Sequence, residues 1–111
     1  METKACVVVT SIDSEETARN LAFLAIEEKL AACAQIISGV ESIYSWRGEL
    51  KRSQEFLIQF KTSSYQVVEL MRLLGDKHPY DTPEIISINI DKIDVKYLKW
   101  LESAKNQDIP L

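Results

Sequence analysis

The chain has 111 residues, a length that fits a single domain with one hydrophobic core. Its hydrophobic content of 46% and charged content of 27% are typical of a soluble globular protein. The net charge of −4 argues against a nucleic-acid-binding surface, because such surfaces are normally basic. No apolar run has the length of a membrane span, and the first four residues lack the pattern of a signal peptide. We therefore expect one domain over residues 1–111, located in the cytoplasm and without a membrane partner.

The first half of the chain predicts a strand, a helix and a long hairpin. Residues 5–10 are apolar at nearly every position, which predicts a strand in the centre of a sheet. Asp13 is placed to cap the helix that follows. Residues 33–46 and 50–61 are rich in β-forming side chains, and residues 47–49 predict the turn between them.

The second half predicts a helix, a strand and a short helix. Ser63 or Ser64 is placed to cap a helix with an apolar i, i+3, i+4, i+7 stripe. Residues 84–90 alternate as a strand does, and Asp94 caps the last helix. The tail after Ala104 is polar, and we expect it to be loose.

This order of elements predicts a fold class. The order β-α-β-β-α-β with right-handed crossovers gives an α+β, ferredoxin-like fold with a four-stranded antiparallel sheet. Both long helices cover one face, and a third, C-terminal helix follows. The other face carries Leu57 and either Tyr44 and Trp46 or their neighbours, which is too apolar for water. A homo-oligomer in which sheets meet is therefore expected.

A stiff connector at residues 78–84 separates the second long helix from the last strand. It contains the only histidine of the chain and two of its three prolines. A proline disfavours helical geometry in the residue before it, so His78 is held extended. Polar groups on stiff backbone are frequent at functional sites, which makes this connector the first candidate for chemistry.

Five segments together resemble the CutA family of divalent-cation-tolerance proteins. They are KLAACAQI at 29–36, SIYSWRGEL at 42–50, EFLIQFKT at 55–62, HPYDTPEI at 78–85 and YLKWL at 97–101. The resemblance implies a ferredoxin-like subunit in a tight homotrimer, similar in architecture to PII signalling proteins. It also implies divalent-cation tolerance, with copper or another divalent cation as the bound metal.

His78 and Cys33 are the candidate metal ligands. A neutral imidazole suits Cu(II), and a thiolate suits Cu(I). The structural alternatives are a histidine that closes a helix and a buried, inert thiol. Val9 and Lys77 stand where some family members have a further cysteine and histidine, which reduces the expected ligand set. Cys6 lies in the most apolar strand and is assigned to packing.

Five further residues from these segments predict a pocket between subunits. They are Tyr44, Trp46, Lys61, Tyr80 and Glu84. One interpretation is a pocket for a small anionic or metal-linked ligand. The alternative is an interface network in which Lys61 and Glu84 pair where their strands meet.

Three functional classes compete. An RNA-binding module is disfavoured, because the strand at 53–60 lacks the basic start and the glycine of the RNA-binding consensus. An acylphosphatase-like enzyme is disfavoured, because residues 11–14 offer no arginine for an anion. We therefore predict a trimeric, thermostable divalent-cation (copper) tolerance protein that is not an enzyme. The alternative is a PII-like signalling trimer that binds a small ligand and has no physiological metal site.

Overall fold

A computed structural model describes residues 5–104 of the chain. The elements are β1 (Ala5–Ile12), α1 (Glu15–Glu27), β2 (Cys33–Trp46), β3 (Glu49–Ser63), α2 (Val67–Lys77), β4 (Ile85–Asn89) and α3 (Val95–Ser103). The strands form one antiparallel sheet in the order β2-β3-β1-β4, which confirms the predicted α+β ferredoxin-like fold. No helix within residues 5–104 is both long and apolar enough to cross a membrane. The predicted loose tail after Ala104 lies outside the described residues.

The core lies between the sheet and the helices α1 and α2. Alternate side chains of β1 and β3 point to it, as the period of two in a strand requires. Val8, Ile58 and Phe60 from the sheet and Leu70 and Leu74 from α2 are all 0% exposed. The apolar stripes predicted from the sequence are therefore the buried faces of these elements.

The start of α1 differs from the prediction. Ser14, not Asp13, is the N-cap, and its Oγ accepts a hydrogen bond from the Thr17 backbone N–H at 3.2 Å. The expectation that Asp13 caps this helix is therefore wrong. β1 continues to Ile12, two residues beyond the predicted end, so the helix begins later. Asp13 is thereby left in the loop between the two elements.

The start of α2 also differs, whereas that of α3 agrees. β3 stays paired with β1 up to Ser63, so neither Ser63 nor Ser64 is the helix cap. Gln66 takes that position without a capping side-chain hydrogen bond. Asp94 caps α3 as predicted, and its Oδ2 accepts hydrogen bonds from two backbone N–H groups of the first turn.

The hairpin of β2 and β3 extends well past the rest of the sheet. β1 pairs with β3 only from Phe56 onward, so 40–46 and 49–55 form a two-stranded ribbon. The ladder shifts register between Ile37 and Val40, and Gly39 between them has a positive φ of 74°. An isolated two-stranded ribbon is marginally stable in water, which indicates that further contacts support it.

The sheet face opposite α1 and α2 is only partly covered. α3 contacts β3, and burial, with a smaller contribution from Cys33, raises the pKa of the Tyr97 phenol. Ile86 and Ile88 on β4 point to the same open side and are 46% and 52% exposed. The apolar face expected from the sequence is therefore present and accessible in the single chain.

Candidate functional site

A cavity of about 630 Å³ lies where the ribbon leaves the sheet. We call it the ribbon cavity. The ribbon contributes Tyr44, Trp46, Lys51 and Glu55, and the loop after β1 and the connector contribute Asp13, Tyr80, Asp81 and Glu84. Four of the five predicted pocket residues are in this group. A single chain therefore assembles most of the predicted pocket.

The two ribbon strands place the aromatic and charged groups next to one another. Tyr44 stands directly opposite Lys51 in the ladder, and Trp46 stands opposite Glu49. Side chains on directly opposite positions lie close together on one face of an antiparallel pair. Tyr44 and Trp46 are 45% and 42% exposed, so their rings form an accessible wall of the cavity.

Glu55 joins the ribbon to the connector. The residue is 7% exposed, and the Tyr80 hydroxyl donates a hydrogen bond of 2.8 Å to Glu55 Oε2. Burial raises the pKa of the Tyr80 phenol above its ordinary value, and the hydrogen bond and the negative charge of Glu55 raise it further. Tyr80 therefore stays protonated and keeps donating to this carboxylate at physiological pH.

We expect Tyr80→Phe to flatten the loss of stability at alkaline pH. The pKa of Tyr80 is raised in the folded chain, so its contribution is complete below the ordinary value of 10.0 and is lost as the pH rises toward the folded value. Denaturant unfolding at neutral pH and at a pH above the ordinary pKa of tyrosine measures this loss of stability. The wild type should lose more free energy of unfolding over this interval than the variant. A Tyr80→Phe profile parallel to that of the wild type would contradict the prediction.

Both ring nitrogens of His78, in the connector, form hydrogen bonds within the chain. His78 is 7% exposed and ends α2, and its Nε2 donates to the Ser11 carbonyl oxygen at 2.8 Å. Its Nδ1 accepts the Tyr80 backbone N–H at 3.1 Å, so Nε2 carries the proton of the neutral ring. The two rings also contact each other, with their centroids 4.7 Å apart. His78 thus positions Tyr80, and neither nitrogen is free for a metal.

Cys33 lies far from His78 along the sheet. Cys33 pairs with Lys61 of β3, and Lys61 pairs with Val7 of β1. His78 bonds instead to Ser11, which lies four positions after Val7 on β1. Four positions span roughly 13 Å, too far for one ion to bridge. Among the residues of 5–104, no group of three or more His, Cys, Asp or Glu could hold a metal ion. The described residues of one chain therefore do not by themselves form a site for the expected metal.

The other residues that entered the metal prediction are packed or outward-facing. Cys6 is 2% exposed, with its Sγ 3.6 Å from Ser64 Oγ and 3.5 Å from Asn89 Oδ1, a position consistent with its assignment to packing. Val9 is 7% exposed, and Lys77 is exposed at the end of α2.

Lys61 is the one predicted pocket residue that lies elsewhere. It donates a hydrogen bond to Gln35 Oε1, and it is not part of the cavity wall. β1 separates β3 from β4, so Lys61 and Glu84 are not neighbours within one chain. Their pairing between two chains stays a prediction.

Sequence reasoning missed Glu55, Asp13 and Lys51 as parts of this site. The alternation of β3 placed Glu55 on the face away from the core, which is correct, but it indicated neither burial nor a partner. That partner, Tyr80, is 25 positions away in the chain. No local pattern reports such a contact.

Comparisons with known proteins agree on one family. A family model described as CutA1 divalent ion tolerance protein matches residues 6–104. Divalent-cation tolerance protein CutA of Thermus thermophilus is 41% identical over 95 residues, which cover 86% of this chain and 92% of that protein. The Escherichia coli protein of the same name is 37% identical over 102 residues, covering 92% and 91%. The structure of CutA from Synechococcus elongatus superposes with a TM-score of 0.89 at 34% identity, covering 95% and 94%.

Proposed function

We propose, from the premise that this chain belongs to the CutA1 divalent ion tolerance family, that it acts in cation tolerance as a homotrimer that binds a small ligand. Membership confirms the resemblance found in the sequence. The observation that carries the proposal is the contrast between two sites. The ribbon cavity is open and lined by charged and aromatic groups, whereas both nitrogens of His78 are already bonded.

Uncovered apolar surface supports the homotrimer. Ile86 and Ile88 leave an apolar strip on β4, and within residues 5–104 no third strand pairs with the ribbon. A second and a third copy of the chain would cover the apolar strip and place strands beside the ribbon, as the PII-like architecture implied by the resemblance requires. Light scattering of the purified protein tests this, and a stable monomer would overturn it. Because burial between subunits adds to stability, we also propose high thermal stability.

The arrangement supports binding and signalling rather than catalysis. His78 is not in the wall of the ribbon cavity, and its ring is held by backbone groups on both sides. A general base must reach the proton that it removes, and this ring does not reach the cavity. The location in the cytoplasm stays a prediction from the sequence.

Copper binding is the second candidate function. Cys33 is half-buried and lies on the open side of the sheet, where a neighbouring chain could add ligands. A thiolate binds Cu(I) well. His78 would have to give up a hydrogen bond to the Ser11 carbonyl or to the Tyr80 backbone N–H before it could bind a metal.

We expect copper uptake to be the same in the wild type and in His78→Ala. The reason is that neither imidazole nitrogen is free in the folded chain. Copper content and stoichiometry of untagged protein measure this, with circular dichroism to show that each variant is folded. Cys33→Ser, with Cys6→Ser as the matched control, tests the thiol. A folded His78→Ala that no longer binds copper would restore His78 as a ligand.

A further inference from the structure

We propose that the ribbon cavity takes an organic polyamine, with Glu55 as the residue that holds one of its ammonium groups. This inference rests on the proposed function, in which the ribbon cavity is the ligand site, and it names the chemical class of the ligand. Three observations carry it: the charge of the cavity wall, the unmet bonding capacity of Glu55, and the spacing of the carboxylates.

The wall of the cavity is strongly acidic. Asp13, Glu55, Asp81 and Glu84 contribute carboxylates, and Lys51 is the one basic residue among the described lining residues. The Nζ of Lys51 already forms an ion pair of 2.8 Å with Glu49, a residue outside the wall. Like charges in a partly enclosed space favour a ligand of opposite charge. The cavity thus selects against anions and attracts cations.

Glu55 is the one buried carboxylate among the described residues of this wall, and only one of its oxygens has a protein donor. The residue is more than nine-tenths buried, and Oε2 accepts the Tyr80 hydroxyl. Within residues 5–104, neither an ion pair nor another hydrogen bond to this carboxylate is found, and Oε1 is not among the buried side-chain atoms that lack a partner, so it is accessible from the cavity. In a partly enclosed cavity, a charge-assisted hydrogen bond to a carboxylate is stronger than a neutral one, so a donor that also carries positive charge suits Oε1 best. A primary or secondary ammonium group donates hydrogen bonds and also carries a positive charge.

The spacing of the carboxylates favours an extended ligand over a metal ion. No three acidic, histidine or cysteine side chains within residues 5–104 lie close enough to hold one ion. A chain of methylenes that carries ammonium groups at intervals can contact carboxylates that are too far apart to bind one ion. The rings of Tyr44 and Trp46 give the methylenes an apolar surface and the ammonium groups a π face. Trp46 already interacts this way with Arg47, whose guanidinium lies 5.6 Å from the ring centroid.

Calorimetric titration of the intact protein with three probes of one length tests the proposal. The probes are cadaverine, which is a diamine, its diol analogue, and glutarate, which is the dicarboxylate. We expect cadaverine to bind at least about tenfold more tightly than the other two, as an ionic contact to a buried group requires. Glu55→Gln keeps an oxygen for the Tyr80 hydroxyl but removes the charge, and we expect it to weaken cadaverine binding about tenfold. Glu69→Gln, the same change on the exposed side of α2, should leave binding unchanged.

The other outcomes overturn the proposal in distinguishable ways. Tight binding of glutarate or the diol instead of cadaverine would keep the ribbon cavity as a ligand site and reject the polyamine. An equal loss in Glu55→Gln and Glu69→Gln would show that only net charge matters. Failure of all three probes to bind would reject the polyamine. The proposed function would fall separately, through a monomeric mass or copper held by His78. If Glu55→Gln does not fold, Asp81→Asn at an exposed position replaces it, with the same loss expected.

Discussion

Replacing Phe60 with alanine is expected to lower the free energy of unfolding by about 3–5 kcal/mol. Phe60 lies on β3, is 0% exposed, and is among the largest fully buried side chains of the described residues. Its strand partners are Val8 on β1 and Ala34 on β2, so it occupies the middle of the sheet beneath the helices. The surrounding elements cannot close the cavity that the lost ring leaves, because the sheet ladders fix them on both sides.

Phe23 provides the matched control for this change. It is 65% exposed on α1, so Phe23→Ala removes the same ring from a site that is mostly in water. Chemical denaturation of both variants at one protein concentration measures the difference. Equal losses for the two substitutions would show that the core described here does not determine the stability of the protein.

Ile88→Asp is expected to convert the proposed homotrimer largely to monomer and to lower the melting temperature. In one chain Ile88 is 52% exposed, so the substitution costs little if the monomer is the working form. In the proposed trimer the side chain is covered. There each copy loses the burial of an isoleucine, about 1.5–3 kcal/mol, and must also bury a carboxylate. The threefold repetition of the change multiplies its effect on assembly.

Light scattering and thermal unfolding over a range of protein concentrations measure this second prediction. Val68→Asp is the control, because Val68 is 66% exposed on the outer side of α2, away from the sheet. It should leave both the mass and the melting temperature nearly unchanged. An Ile88→Asp protein that keeps the mass of the wild type would place the interface somewhere other than the open face of β4.

The connector at residues 78–84 links the core to the ribbon cavity. His78 bonds to β1 through the Ser11 carbonyl and to the Tyr80 backbone, and Tyr80 then bonds to Glu55 on the ribbon. The three contacts tie together elements that the sheet alone does not join. A ligand on the free oxygen of Glu55 would therefore contact a network that reaches the end of α2. In the proposed small-ligand function, a bound ligand would thus be linked to β1 and α2 through these hydrogen bonds.

The elements and their buried faces followed from local patterns. Phe56, Ile58 and Phe60 alternate, and Leu70 and Leu74 recur at helical spacing, so neighbouring residues alone indicate which side is buried. The antiparallel sheet then followed from the order of elements and the handedness of crossovers. Helix starts were less predictable. Whether Asp13 or Ser14 caps α1 depends on how far β1 stays paired with its neighbours.

The roles of the polar residues were decided only by the folded chain. The sequence predicts that His78 is a metal ligand. In the folded chain one of its ring nitrogens is hydrogen-bonded to the carbonyl of Ser11, 67 positions away. The sequence predicts that Glu55 faces outward like an ordinary surface residue. In the folded chain it is buried and accepts a hydrogen bond from Tyr80, 25 positions away. Hydrophobic periodicity is a property of neighbours in the chain. The bonding of a buried polar group depends on which distant segment the fold brings within about 3 Å, and no local pattern contains that distance.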